Sequence, residues 1–328
     1  MVQPCLRAGA RDSGQGFTAH NFRTDFLVRI GVAATPDVAI PTLNWLLQSV
    51  HEVALIITQP DRPAGRGRLL QQSTVADWAN EHHIPLTKPE DPQQLNGKIE
   101  DLDLVLTIGY GVLLPENILV LPKNGFLNLH FSLLPAYRGA APAQRALHNG
   151  ETTTGVTVFQ LDKGMDTGPI FAQESITIDP SWRSFELLDQ LANLGPKVVE
   201  RSFAMIDAGQ SPQQQVGTAS GAPKISKAEA KIDFSSDAAQ IANAIRAFTY
   251  EPGAWTLWKA EPFKICSTKV TDQVAGIPGQ VTVIDKKVVV STGKGAIELL
   301  RVIPAGKKEM DAIDWARGAR LTGGEIFG

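Results

Sequence analysis

Three side chains in this sequence could do acyl chemistry together. Asn128 and His130 stand two apart in the run GFLNLHFSLLP, and Asp166 lies in KGMDTGP. Alternate residues of a strand share a face, so Asn128 and His130 project side by side, with Leu127, Leu129 and Phe131 on the other face. Polar groups in so apolar a run are costly unless they find partners. Either the two form a structural pair, or the strand delivers them to a site. Asp166 follows the strand pattern GVTVFQL and sits between Gly164 and Gly168, which let the backbone turn tightly. The carboxylate can orient an imidazole and stabilise its cation. The imidazole can relay a proton near neutral pH, and the asparagine amide can donate to a developing oxyanion, an interaction worth about 3 kcal/mol. No Ser or Cys stands in a nucleophile-elbow setting beside them. That pattern favours direct transfer between two bound substrates over a covalent enzyme intermediate. One histidine among the candidates is too few for a metal site, and none is expected.

Alternating strand and helix patterns must position these groups. FLVRIGVAA, VALIIT, LDLVLTIGYG, GFLNLHF and GVTVFQL read as strands, the second of them fully buried. VAIPTLNWLLQSV, STVADWANEHH and GAAPAQRALHNG read as helices, the last opened by Pro142 and stopped at Asn149-Gly150. SFELLDQLANLGPKVVERSFAMIDAG is a long helical tract expected to kink at Leu194-Gly195-Pro196. This order predicts an α/β fold, a Rossmann-like, open, mostly parallel sheet with helices on both faces. Ligands of such sheets bind at the carboxyl ends of the strands. Residues 209–227 read as a linker by composition, rich in Gln, Ser and Gly. The helix DAAQIANAIRAF and the short strands AWTLW, EPFKICSTKV, GQVTVID, KVVVSTG and GAIELLRVI then predict a small OB-like β-barrel. The expected organisation is a leader at 1–25, a catalytic domain at 26–208, the linker, and the barrel at 228–328.

The bulk composition agrees with two folded domains. The chain has 328 residues, a net charge of −3 and 43% hydrophobic residues. Global attraction to polyanions is excluded, though a local basic patch can still meet nucleic acid. Cys5 and Cys266 have no metal-ligand spacing and form no disulfide framework, which fits a reducing cytoplasm. No apolar run spans a bilayer, so no membrane partner is expected. Nothing in the sequence suggests a coiled coil, and a monomer is expected.

Longer motifs narrow the function. The run NLHFSLLPAYRGAAP at 128–142, with QLDKGMDTG at 160–168, resembles the folate-dependent formyltransferases. TQPDRPAGRGRLL at 58–70, PKISKAEAKIDFS at 223–235 and IPAGKKEM at 303–310 resemble the members that act on aminoacylated initiator tRNA. The resemblance implies transfer of a formyl group from 10-formyltetrahydrofolate to the α-amine of initiator methionyl-tRNA. It places catalysis on Asn128, His130 and Asp166. It places the folate pocket on Gly109, Tyr110, Gly111, Val112, Leu113 and Leu114 and on Ser132, Leu133, Leu134 and Pro135, with Asp162 and Met165 closing the other side. The residue chemistry suits a flat pterin, because apolar walls would cover its faces while glycines leave backbone groups open to its polar edge. Arg62, Arg66 and Arg68, spaced by Pro63, Gly65 and Gly67, suit phosphate. The resemblance has this loop meet the acceptor stem, with Arg66 the leading contact; Lys307 and Lys308 are secondary candidates for phosphate contacts from the barrel domain. A solvated basic loop and ordinary surface lysines are the plain alternatives.

Three other functions are distinguishable in principle. A formyltransferase for a sugar or small-molecule amine would share much of the site, but the arginine loop and the barrel favour tRNA. A binding protein without turnover is opposed by the intact Asn128, His130 and Asp166. A nucleotide-dependent oxidoreductase needs spaced glycines after the first strand, and GVAATPD lacks them.

Overall fold

The computed structural model describes residues 27–64, 69–273 and 276–328. The leader expected at 1–25 lies outside them, as do Arg66 and Arg68.

The amino-terminal half forms in chain order as β1 (Arg29–Ala34), α1 (Ile40–Gln48), β2 (Glu52–Ile57), β3 (Arg62–Ala64), β4 (Leu69–Gln71), α2 (Thr74–Glu81), β5 (Leu86–Thr87), β6 (Leu104–Ile108), α3 (Glu116–Leu119), β7 (Phe126–His130), α4 (Pro142–His148), β8 (Thr153–Gln160), β9 (Ile170–Thr177) and α5 (Ser184–Asp207). Among the described residues, seven strands make one sheet in the order β5-β2-β1-β6-β7-β8-β9. From β5 to β7 they are parallel, and β8 and β9 are antiparallel additions. The order reverses between β1 and β6, so the carboxyl ends of the strands splay apart there and leave a crevice.

Strand periodicity divides the core into two. Val32, Leu104, Leu106, Leu127 and Leu129 face the long helices, packing with Leu43, Leu46, Leu147, Leu191 and Val198. Ala33, Val105 and Phe126 face the other way, onto Leu95, Ile99, Leu114, Ile118 and Leu119. That second layer is built from short helical turns and loops rather than long helices, and it leaves space. Asn128 and His130 share the parity of Phe126 and therefore belong to this open side.

Three elements depart from the expected outlines. The strand read through Gly111 ends at Ile108, because Gly109 (φ 58°) and Gly111 (φ 73°) turn the chain out of the sheet. The strand VALIIT is buried only at its carboxyl end, since β2 is covered on one side by the two-residue β5 alone. The helix α5 runs unbroken through Leu194-Gly195-Pro196. Gly195 serves packing there, since a Cβ would lie 2.8 Å from Leu129 Cδ2.

The carboxyl-terminal half contains α6 (Ala238–Phe248), β10 (Trp255–Trp258), β11 (Glu261–Thr271), β12 (Val281–Ile284), β13 (Lys287–Ser291), β14 (Ala296–Ile303), β15 (Met310–Asp311) and α7 (Ala312–Ala319). Asp237 caps α6 by accepting from Ala239 N, and Gln240 reaches back to the Asp237 amide. The strands form an antiparallel, barrel-like sheet in the order β10-β11-β14-β13-β12, with β15 on β14. An aromatic cluster of Trp258, Phe263, Trp315 and Phe327 fills its interior. The two halves meet through α4 and α6, with the His148 ring 5.1 Å from that of Phe248. Among the described residues no helix is long and apolar enough to cross a membrane.

Residues 209–223 are tied to the amino-terminal half along their length. Gln213 exchanges two main-chain hydrogen bonds with Ile170, the Arg138 amide donates to Ser220 O, and Arg138 and Ala141 both bond Ala222.

Candidate active site

A cavity of about 450 Å³ opens beside the carboxyl ends of β6 and β7, on the side with the thin second layer. Asn128, His130 and Asp166 all line it. They arrive by different routes. Asn128 and His130 come from β7 in alternate register. Asp166 belongs to the 161–169 loop that joins β8 to β9. Because β8 runs antiparallel to β7, with Gln160 opposite Leu127, this loop starts at the far end of the sheet. It folds back over the open face, held first by Leu161 N donating to Phe126 O (2.8 Å).

His130 is 6% exposed and Asp166 8%. The Asp166 Oδ2 to His130 Nδ1 distance is 3.8 Å, an ion-pair separation rather than a hydrogen bond. What fixes the ring is the Tyr137 carbonyl, 2.9 Å from Nε2. A carbonyl only accepts, so Nε2 carries the hydrogen. Burial lowers the His130 pKa from its ordinary value, and it outweighs the opposing pull of Asp166 and of the Tyr137 carbonyl. The resting ring is therefore neutral, with Nδ1 bare and facing the carboxylate. Asp166 is itself pinned, since its Oδ2 accepts from Gly139 N at 2.7 Å. Gly139 has φ 127°, and a Cβ there would fall 2.7 Å from Ala222 O, so this close approach requires glycine. The Asn128 side-chain amide makes no hydrogen bond to another described residue and remains free to donate into the cavity.

The opposite wall is Gly109, Tyr110, Gly111, Val112, Leu113 and Leu114, closed by Asp162 and Met165. Leu113 and Met165 are 75% and 62% exposed, apolar lips at the mouth. The Asp162 carboxylate shapes its own loop, accepting from Gly164 N (2.9 Å) and Thr167 Oγ1 (2.7 Å). Ser132, Leu133, Leu134 and Pro135 do not line the cavity. They form the turn behind it, where Ser132 Oγ donates to Ala136 O (2.6 Å) and Leu134 N to Thr157 Oγ1 (3.2 Å). Thr107 and Ala140 line the cavity without having been singled out in the sequence, Pro142 joins them from the start of α4, and Leu129 and Phe131, expected on the face away from Asn128 and His130, reach the cavity as well. All but Thr107 of these belong to the NLHFSLLPAYRGAAP run.

Arg62 is exposed at the start of the β3–β4 hairpin, and its guanidinium donates to Gln59 Oε1. Gln59 Nε2 in turn donates to Tyr110 O (2.6 Å), so the hairpin is one side chain away from the cavity wall. Arg66 and Arg68 lie outside the described residues. Lys307 and Lys308 are exposed on the turn between β14 and β15. Among the described residues no group of three or more His, Cys, Asp or Glu could hold a metal.

Comparison with known proteins accounts for both halves. Residues 29–202 match the family model described as Formyl transferase, and residues 224–320 match Formyl transferase, C-terminal domain. The chain is 39% identical over 309 residues to the methionyl-tRNA formyltransferase of Renibacterium salmoninarum, covering 92% of this chain and 100% of that one. It is 40% identical over 310 residues to that of Thermobifida fusca, covering 92% and 99%. HypX from Aquifex aeolicus, solved in complex with tetrahydrofolic acid, has a TM-score of 0.63 at 17% identity. That match covers 91% of this chain and 48% of HypX, so this chain spans about half the length of HypX, and the likeness is one of fold. Matched in both halves, and over 92% of its length by curated members, the chain belongs to the formyl transferase family.

Proposed function

We propose that this enzyme moves a formyl group from 10-formyltetrahydrofolate to the α-amine of initiator methionyl-tRNA, giving formylmethionyl-tRNA for translation initiation. The observation that carries the reading is one cavity holding a free amide, a buried neutral imidazole and a carboxylate against an apolar, glycine-turned wall. The relatives at 39–40% identity, matched over 99–100% of their length, are methionyl-tRNA formyltransferases, which favours the tRNA amine as acceptor.

The wall fits a folate. Val112, Leu113, Leu114 and Met165 offer apolar contact to the faces of a pterin, and the turned backbone at Gly109 and Gly111 offers N–H and C=O groups to its edge. When bound, 10-formyltetrahydrofolate supplies the formyl carbon. Asn128 donates its amide N–H to the oxygen on which charge gathers as the amine attacks. His130 Nδ1 takes the proton that the amine loses and returns it to the leaving nitrogen. Asp166, 3.8 Å away, stabilises the imidazolium during that interval. The buried setting keeps Nδ1 unprotonated beforehand and so ready to accept. Holding two large substrates together supplies much of the remaining acceleration. Arg62, Arg66, Arg68, Lys307 and Lys308 are read as contacts to tRNA phosphates, with Arg62 closest in connectivity to the cavity through Gln59. The finer reading is a cytoplasmic monomer, which sedimentation at the mass of one chain tests.

The deciding experiment offers labelled 10-formyltetrahydrofolate with charged initiator tRNA, charged elongator tRNA and an amino-sugar nucleotide in parallel. Label on the initiator methionine is the expected result. Label on the sugar amine with none on tRNA overturns the reading.

A further inference from the structure

The segment between the two halves reads as a polar tether, yet one of its side chains reaches the active-site loop. Gln215 Nε2 donates to the carbonyls of Asp166 (2.8 Å) and Gly168 (2.9 Å). Its Oε1 accepts from the Arg138 guanidinium, at 3.2 Å from Nε and 2.6 Å from the terminal nitrogen. The orientation of this amide is fixed by its partners, because carbonyls only accept and a guanidinium only donates. Gln215 thus clamps the loop that carries Asp166 to the stretch that carries Tyr137, Arg138 and Gly139. Those neighbours set the other half of the pair. Tyr137 O holds the His130 ring, and Gly139 N holds the Asp166 carboxylate. The same strap also takes Tyr137 N onto Ser220 Oγ (2.9 Å).

We propose that Gln215 is a positioning residue for formyl transfer, setting the separation between Asp166 and His130 from within the inter-domain segment. This rests on the reading of Asn128, His130 and Asp166 as the catalytic groups. The loop needs such a clamp for a physical reason. Asp166 has φ 53°, a left-handed conformation that a non-glycine residue keeps only where its surroundings over-determine it. The bonds from Gln215 to two of the loop's carbonyls oppose its lifting away.

The test is steady-state kinetics on the full chain with 10-formyltetrahydrofolate and charged initiator tRNA. Gln215→Ala removes the clamp. Gln215→Glu keeps an acceptor for Arg138 but sets a carboxylate against two carbonyls. Both are expected to lose about 100-fold in kcat, since a displacement near 1 Å at a reacting pair costs that much. KM for either substrate should move by less than about threefold. Val216→Ala, next to the clamp and 88% exposed, is expected to behave as the parent enzyme. In an Asp166→Ala background, Gln215→Ala should cost little more, because residues acting through one another are not additive. Parental kcat in both Gln215 variants, with Asp166→Ala severely slowed, overturns the inference and leaves the catalytic reading standing. A raised KM for tRNA at unchanged kcat also overturns it, making Gln215 a substrate contact. Parental activity in Asp166→Ala would instead overturn the catalytic reading beneath it.

Discussion

The cavity and the basic hairpin beside it are built on opposite terms. His130 and Asp166 are buried, and each is held by a main-chain partner from the same short stretch, Tyr137 O and Gly139 N. Arg62 is exposed on a strand of three residues, and its described hydrogen bond is to another side chain, that of Gln59. The contrast follows the chemistry each region is asked to do. Proton transfer needs atoms fixed to a fraction of an ångström in a site that excludes water. Phosphate contact needs charge within reach of a large partner and tolerates a free side chain. Among the described residues, Gln59 links the two regions, bonding Arg62 on one side and Tyr110 O on the other.

That contrast breaks most visibly at the buried end. His130→Ala is expected to lower kcat by about 10²–10⁴-fold with KM little changed, as for loss of a proton acceptor. Asn128→Ala should cost about 10²–10³-fold, and kinetics at saturating substrates check both. A smaller effect is expected at the cavity wall. Gly111→Ala places a side chain at φ 73°, with its Cβ 2.9 Å from Gln59 Nε2. The left-handed backbone costs about 1–2 kcal/mol of folding stability, which chemical denaturation of the variant measures. The smallest effects belong to the exposed cations. Lys307→Ala and Lys308→Ala should leave kcat alone and reduce the salt dependence of tRNA binding by about one unit of log–log slope each. An unchanged slope would make them ordinary surface lysines.

How much of this was legible in the sequence depended on whether a side chain or a backbone did the work. The alternation in β7 put Asn128 and His130 on one face, and the structure has both on the cavity. The glycines at 109 and 111 were visible as openings in the wall, although the strand reading ran three residues past Ile108, through both of them. The direction of approach of Asp166 was not legible. It depends on β8 pairing antiparallel to β7, and strand direction is set by tertiary partners rather than by local pattern. The edge strand β9 went unread because its polar and apolar residues mix along a half-covered surface. The Tyr137 carbonyl that fixes the imidazole leaves no mark in residue type, since every residue carries one. Gln215 was hidden by its surroundings, as a polar, Gly-containing stretch reads as a tether whether or not it is bonded down. Ser132 to Pro135, grouped with the cavity by their position in the motif, were placed behind it by the turn that follows β7.

The central claim is that His130 rests neutral, with Nε2 protonated and Nδ1 bare, poised to take a proton from the attacking amine. Nitrogen-15 NMR of histidine-labelled enzyme, with His130→Asn used to assign the signal, measures it directly. The predicted result is a titration midpoint below the ordinary 6.5 and, at neutral pH, a bare Nδ1 beside a protonated Nε2. A midpoint above 6.5, or a neutral ring protonated at Nδ1, would contradict the account.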